Sequence, residues 1–195
     1  AFAYHHVKVF SQKYQASCDS MVFFQKDSII DYYGEPIFWM DSFQITSEQI
    51  RSKLGKSGIE QVNLNNIALI GQRHSGGQFD QIAGDSMTAY FKKGKIKKVE
   101  VHSSAKAIYY LLEGDTALLG ANNVNSHKAL IRFDPEGLSK FSFIDQVESV
   151  ITPAKEVNPL SLVLPGFKWN GVLRPYRKEQ IFPKSKSKII TKKEE

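Results

Sequence analysis

The sequence predicts an all-β fold, a strongly curved antiparallel sheet of consecutive kinked hairpins, and three observations lead there. Apolar and polar residues alternate in Val7-Lys8-Val9, Met87-Thr88-Ala89-Tyr90-Phe91, Val99-Glu100-Val101 and Phe141-Ser142-Phe143, the signature of a half-buried strand. Turn chemistry punctuates the chain at Gly34-Glu35-Pro36, Lys56-Ser57-Gly58, Lys93-Gly94-Lys95 and Pro135-Glu136-Gly137. The third observation is a degenerate repeat.

Ile82, Gly84, Met87, Ala89 and Phe91 define its first half: an apolar residue, a small one, then apolar residues at alternate positions. Ile45, Ser47, Ile50, Ser52 and Leu54 share the spacing, as do Val124, Ser126, Ala129, Ile131 and Phe133, and more weakly Ala16, Cys18, Met21 and Phe23. A turn follows, then apolar residues at steps of three and two: Ile59, Val62 and Leu64; Ile96, Val99 and Val101; Leu138, Phe141 and Phe143. Residues three apart on a regular strand face opposite ways, so the step of three demands an extra residue, a bulge or kink. Local propensity alone would make Ser47 to Leu54 and Ala117 to Ala129 helical; the repeat makes them strands. The small residue at each copy is expected where backbones pack closely at the bend. An ordinary β-sandwich with coincidental spacing is the competing reading.

Composition bounds the rest. With 42% hydrophobic and 24% charged residues the chain is ordinary for a globular protein, and its apolar stretches are far shorter than the roughly 18 residues of a membrane helix. The net charge of +6 is uneven: of 26 basic and 20 acidic residues, eight and three lie between 174 and 195, which leaves 18 and 17 for the rest. The positive charge describes a tail and is no nucleic-acid signature for the body. After Val150, Thr152-Pro153 and Asn158-Pro159 interrupt strand patterning. Two segments are therefore expected, a sheet domain at 1–172 and a basic, partly disordered tail at 173–195.

The repeat, together with Gly166-Phe167-Lys168-Trp169-Asn170-Gly171-Val172-Leu173-Arg174-Pro175, resembles the OstA-like lipopolysaccharide-transport proteins (the LptA/OstA family) of Gram-negative bacteria. Asp27-Ser28, Gly34 to Trp39 and Ile82 to Phe91 carry further likeness, which extends from about Val7 to Phe182. The chain seen this way opens partway through a repeat. The resemblance implies an OstA-like β-jellyroll, an open V-shaped slotted barrel of consecutive antiparallel strands. It also implies a non-enzymatic periplasmic carrier in outer-membrane biogenesis, exported by a signal peptide this chain lacks. Lipopolysaccharide would lay its acyl chains in the slot, and other jellyroll proteins of the export bridge, or further copies end to end, would join at strand edges. No cofactor is implied.

The residues expected to line the slot are Met21, Phe23, Ile45, Ile50, Leu54, Ile82, Met87, Phe91, Val99, Val101, Ile131, Phe133, Phe141 and Phe143. Burial of hydrocarbon at roughly 0.8 kcal/mol per methylene is non-directional and tolerates sliding. Lys92, Lys93, Lys95, Lys97 and Lys98 surround one turn, where they would meet head-group phosphates or simply protect a solvated hairpin edge. No catalytic or metal site is expected. His5-His6, placed on a strand, point to opposite faces and chelate poorly. His74-Ser75 lies in a Gly-rich stretch with no supporting acid, and Cys18 at the small position reads as a structural thiol. A structural module that binds only protein partners is the alternative function; nucleic-acid binding through the lysines is a weaker one.

Overall fold

The computed structural model describes residues 1–114, 117–134 and 137–182, with backbone alone at 137 and 138. The turn expected at Pro135-Glu136 and the tail from Pro183 onward lie outside these residues. Fourteen strands run in chain order: β1 (Phe2–Phe10), β2 (Gln15–Phe24), β3 (Ile29–Tyr33), β4 (Ile37–Met40), β5 (Phe43–Thr46), β6 (Gln49–Gly55), β7 (Gly58–Arg73), β8 (Phe79–Lys92), β9 (Lys95–Val101), β10 (Ala105–Glu113), β11 (Ala117–Ser126), β12 (Lys128–Asp134), β13 (Gly137–Ile144) and β14 (Glu148–Pro153). Short 3₁₀ turns follow. Among the described residues there is no α-helix, and none is long and apolar enough to cross a membrane.

These fourteen are nine long strands bent in the middle. β1, β2, β7 and β8 pass through their bends unbroken, whereas β3–β4, β5–β6, β9–β10, β11–β12 and β13–β14 are each two halves of one strand. All pairings are antiparallel. The halves form two rows. Row A runs β3-β6-β7-β8-β9-β12-β13 and row B runs β4-β5-β7-β8-β10-β11-β14, with β2 and then β1 closing both at one end. The rows meet along the line of bends, the spine.

Two kinds of bend alternate along the spine. One set of strands turns through left-handed residues: His5-His6, Gly34-Glu35, Asn66-Ile67, Ser104 and Asp145-Gln146, with φ between 49° and 73°. The strands between carry the repeat's small residue, Cys18, Ser47, Gly84 or Ser126. The residue after each donates its N–H to the neighbouring bend: Asp19 to Gly34, Glu48 to Asn66, Asp85 to Ser103 and His127 to Asp145, at 2.9–3.2 Å. A side chain at Gly84 would strike Val101 and the Ser103 carbonyl; Ser47 fits by donating to the Asn65 carbonyl. His5-His6 correct the sequence reading, since they form a left-handed bend and do not alternate across a regular strand.

The steps of three are bulges. Lys53 pairs with Gln61 and Leu54 with Ile59, leaving Glu60 extra; Lys97 and Ser139 are the equivalent extra residues in the next two hairpins. They lie toward the hairpin ends, and the main bend falls at the small residue instead. Ser47 to Leu54 and Ala117 to Ala129 are strand and bend.

After Pro153 the chain crosses the outer face of row B as a strap. Gln81 grips it with both ends of its amide, Nε2 donating to the Leu162 carbonyl (3.0 Å) and Oε1 accepting from Leu164 N–H (2.8 Å). Gln44 repeats the grip on the Lys168 carbonyl (2.7 Å) and Asn170 N–H (2.6 Å). Both glutamines are buried, and each satisfies strap backbone as a neighbouring strand would. The Phe167 ring packs against Gly71, where any side chain would collide with it; Leu164 packs with Ile108, Tyr110 and Ala121. Arg174 ends the crossing, its guanidinium donating to Gln15 Oε1 and the Asp41 carbonyl, both at 2.7 Å. Residues 173–182 thus continue the strap.

Candidate functional site

The candidate site is the interior between the rows. All fourteen residues expected to line a slot point there: nine are buried in the main core, and Met21, Phe23, Leu54, Phe141 and Phe143 pack against it half-buried. Ten lie on row A, Met21 and Phe23 on the half of β2 that pairs with β3, and only Ile45 and Ile82 on row B.

Cross-strand register shows what each wall offers. Nearest the spine on row A, one rung of paired residues reads Ile50, Leu64, Met87, Val101, Ala129, Phe143. The next reads Ser52, Val62, Ala89, Val99, Ile131, Phe141. Leu54, Ile59, Phe91, Ile96 and Phe133 carry the apolar surface to the hairpin ends. From β7 to β13 row A is apolar from spine to rim; Ser52 on β6 is polar and buried.

Row B is not. Its rung nearer the spine reads Ile45, Ile70, Ile82, Ala107, Val124 and ends on Ser149. One rung outward, Phe43 pairs with Gln72 and Gln72 with Asp80, while Tyr109 pairs with Asn122 and Asn122 with Ile151. Asp80 is buried, its Oδ1 accepting Tyr110 N–H at 2.9 Å. His74 Nε2 sits 2.9 Å from Asp80 Oδ2, an ion-pair contact without the alignment of a hydrogen bond. The carboxylate raises the imidazole pKa above its ordinary value, against partial burial. Here an acid does stand beside His74, which the sequence reading did not find.

The interior is filled by its own side chains. Tyr32, Phe38, Ile45, Ile50, Val62, Leu64, Val99 and Ile131 are fully buried, and Phe43 of row B meets Phe133 of row A edge to face, ring centroids 5.4 Å apart. Near the rim a gap of about 10 Å³, room for one water, lies between Phe133 and Phe141 on one wall and Ile70, Gln72, Asp80 and Ile82 on the other; an opening of about 120 Å³ lies at the hairpin ends, between Phe43 and Gln72 on row B and Ile96 and Phe133 on row A. Past the gap the walls loosen, and Ile151 at the last strand is 63% exposed.

Sequence reasoning missed most of row B. The strap buries the outer face of its strands, so Leu69-Ile70 and Ala107-Ile108 are apolar on both sides and lose period-two alternation, as strands covered on both faces do. The polar rung carries no motif; only register reveals it.

Other singled-out residues take structural places. Burial, assisted by the neighbouring Asp19, pushes the Cys18 thiol up to about 11, so it is no thiolate nucleophile. Trp39, the end of the Gly34 to Trp39 stretch, is a core aromatic. Lys93-Gly94 make the tip of the β8–β9 hairpin, with Lys92, Lys93 and Lys95 exposed. Lys97 is the bulged residue. Lys98 is engaged, 2.8 Å from Glu100 Oε1 and over the Tyr90 ring. Among the described residues no three His, Cys, Asp or Glu side chains converge on a metal site.

No family model and no curated protein matches this sequence. The fold is similar to a crystal structure of LptH, the LptA homologous periplasmic component of the conserved lipopolysaccharide transport device from Pseudomonas aeruginosa. The TM-score is 0.53 at 18% identity, and the match covers 73% of this chain and 96% of that one. Bent antiparallel strands in two rows, an apolar interior and this likeness together give the chain the β-jellyroll fold of LptA-type proteins.

Proposed function

We infer that this chain is a non-enzymatic component of periplasmic lipopolysaccharide transport, holding acyl chains between the two walls. One observation carries the reading: an apolar wall running unbroken from β7 to β13 of row A, open at the last strand. Hydrocarbon laid along it gains from burial alone, roughly 0.8 kcal/mol per methylene, with no polar contact to break when it moves on. Because the interior is filled, cargo enters from the loosened end near Phe141 and Phe143 and parts the walls as it advances, the spine acting as the hinge. The exposed lysines at the β8–β9 tip would meet head-group phosphate as point charges.

Partners follow from the edges. Among the described residues β1 at one end and β13 and β14 at the other pair on one side only, and would offer their free edge to another jellyroll, or to a second copy, by strand addition. Exposed Phe2 and Tyr4 accompany the first edge, and Val150 and Ile151 the second. In this reading the protein works in the periplasm, with residues 1–172 as the jellyroll domain and 173–195 as a basic segment whose first part, 173–182, continues the strap.

The filled interior favours a second reading, a structural module that binds protein partners only. Native mass spectrometry with purified lipopolysaccharide separates the two. The carrier reading expects lipid-bound ions at a defined stoichiometry; a folded protein that stays lipid-free at saturating lipid contradicts it.

A further inference from the structure

The polar rung on row B is wired as a chain of donors and acceptors. Ser149 Oγ donates to Asn122 Oδ1 at 2.8 Å, and Asn122 Nδ2 donates to the Tyr109 hydroxyl, also at 2.8 Å. The chain stops there. The Tyr109 hydroxyl hydrogen has no acceptor among the described residues. Its ring is held, stacked on Phe141 of the opposite wall with centroids 4.3 Å apart and planes 22° from parallel. A fixed, half-buried hydroxyl therefore presents one unused donor at the boundary between an aromatic wall and the solvent.

This lies where the walls begin to separate, beside the water-sized gap that Phe141 helps to line. On one side are Phe141 and Phe143; on the other the polar rung, with the apolar rung of Ile82, Ala107 and Val124 behind it. A ligand seated here meets hydrocarbon surface inward and hydrogen-bonding groups at the rim. Ligands made that way are chains joined to a polar head through an ester or amide, whose carbonyl accepts but cannot donate.

We propose that Tyr109, Asn122 and Ser149 form a recognition subsite for the carbonyl at the head–chain junction of an acylated ligand. Tyr109 donates to that carbonyl while Asn122 and Ser149 orient the hydroxyl, and the chain beyond it lies along Phe141 and Phe143. Asn122 and Ser149 are positioning residues, reaching the ligand through Tyr109. The subsite rests on the lipid reading above and adds to it a preference for acyl over plain hydrocarbon ligands.

The test compares two probes on the full chain, purified lipopolysaccharide and the head-group-free dye N-phenyl-1-naphthylamine. Tyr109→Phe keeps the ring on Phe141 and removes only the hydroxyl. One neutral hydrogen bond, about 1 kcal/mol, sets an expected weakening of about fivefold for lipopolysaccharide, with dye affinity held within twofold. Ser149→Ala is expected to give a smaller loss in the same direction. Unchanged lipopolysaccharide affinity in Tyr109→Phe overturns the subsite, as does parallel weakening for both probes, which is the mark of a packing role. A wild-type protein that binds dye but not lipopolysaccharide overturns the subsite and limits the interior to plain hydrocarbon; one that binds neither overturns the lipid reading itself.

Discussion

The two rows are built from the same nine strands, yet their walls differ inside and out. Row A is apolar inside to its rim from β7 to β13 and polar outside, where Thr88 donates to Asn63 and Tyr90 to Glu100. Row B is apolar only near the spine, turns polar one rung outward, and is buried on its outer face beneath the strap. β7 and β8 cross from one regime to the other within a single strand. The contrast teaches that strand texture here is set by what covers each half, and that the rim has a greasy side and a hydrogen-bonding side.

Breaking the grip on the strap tests the contrast most severely. Gln81→Leu leaves the Leu162 carbonyl and Leu164 N–H without their partner, which at about 1–3 kcal/mol for each unsatisfied group predicts a loss of about 2–6 kcal/mol by urea denaturation, toward the lower end because Leu162 is only half-buried. Arg132→Ala, on the solvated outer side of row A, should change stability by less than about 0.5 kcal/mol. Equal costs at the two sites would remove the distinction between the outer faces.

Gly71→Ala is a gentler probe of the same strap. The added methyl overlaps the Phe167 ring, so the strap must lift; overpacking of this kind costs about 1–3 kcal/mol. Phe79 sits between Phe167 and Trp169 in tilted ring contacts, at 5.6 and 5.0 Å, so Trp169 fluorescence should shift to the red in the folded variant.

The spine between the rows stores strain. Ile67 is β-branched, exposed, and held at φ 49°, a region that asparagine tolerates better. Ile67→Asn should raise stability by about 1 kcal/mol in thermal denaturation.

The smallest effect is a pH dependence confined to row B. His74 has its pKa raised by Asp80, so the stabilisation from its charged form is complete below about pH 6.5 and is lost as pH rises through the higher folded value. The contact is partly solvated, which keeps the change below about 1 kcal/mol. Asp80→Asn should abolish this step, read as urea midpoints between pH 5 and 9.

Much of this was legible in the sequence, for physical reasons. The repeat put Met87, Val99, Ile131 and their counterparts on one face because row A is wetted outside, and wetting writes period two into the chain. The steps of three marked bulges at Glu60, Lys97 and Ser139, since only an extra residue keeps both apolar ends inward. What stayed hidden depends on residues far apart in sequence. The Gln44 and Gln81 grips span more than eighty positions. Tyr109, Asn122 and Ser149 meet only through strand register, and His74 meets Asp80 only because the β7–β8 turn folds back. Left-handed bends at His5-His6 and Asn66-Ile67 carry no glycine, so nothing in the chain advertises them.

Photocrosslinking from Met87 and from Thr88 measures the central idea directly, that hydrocarbon lies against the inner wall of row A. Met87 faces the interior and Thr88, its immediate neighbour, faces outward, bonded to Asn63. With purified lipopolysaccharide, a crosslinker at 87 should capture lipid and one at 88 should not. Equal capture at both positions, or capture at 88 alone, would contradict the account.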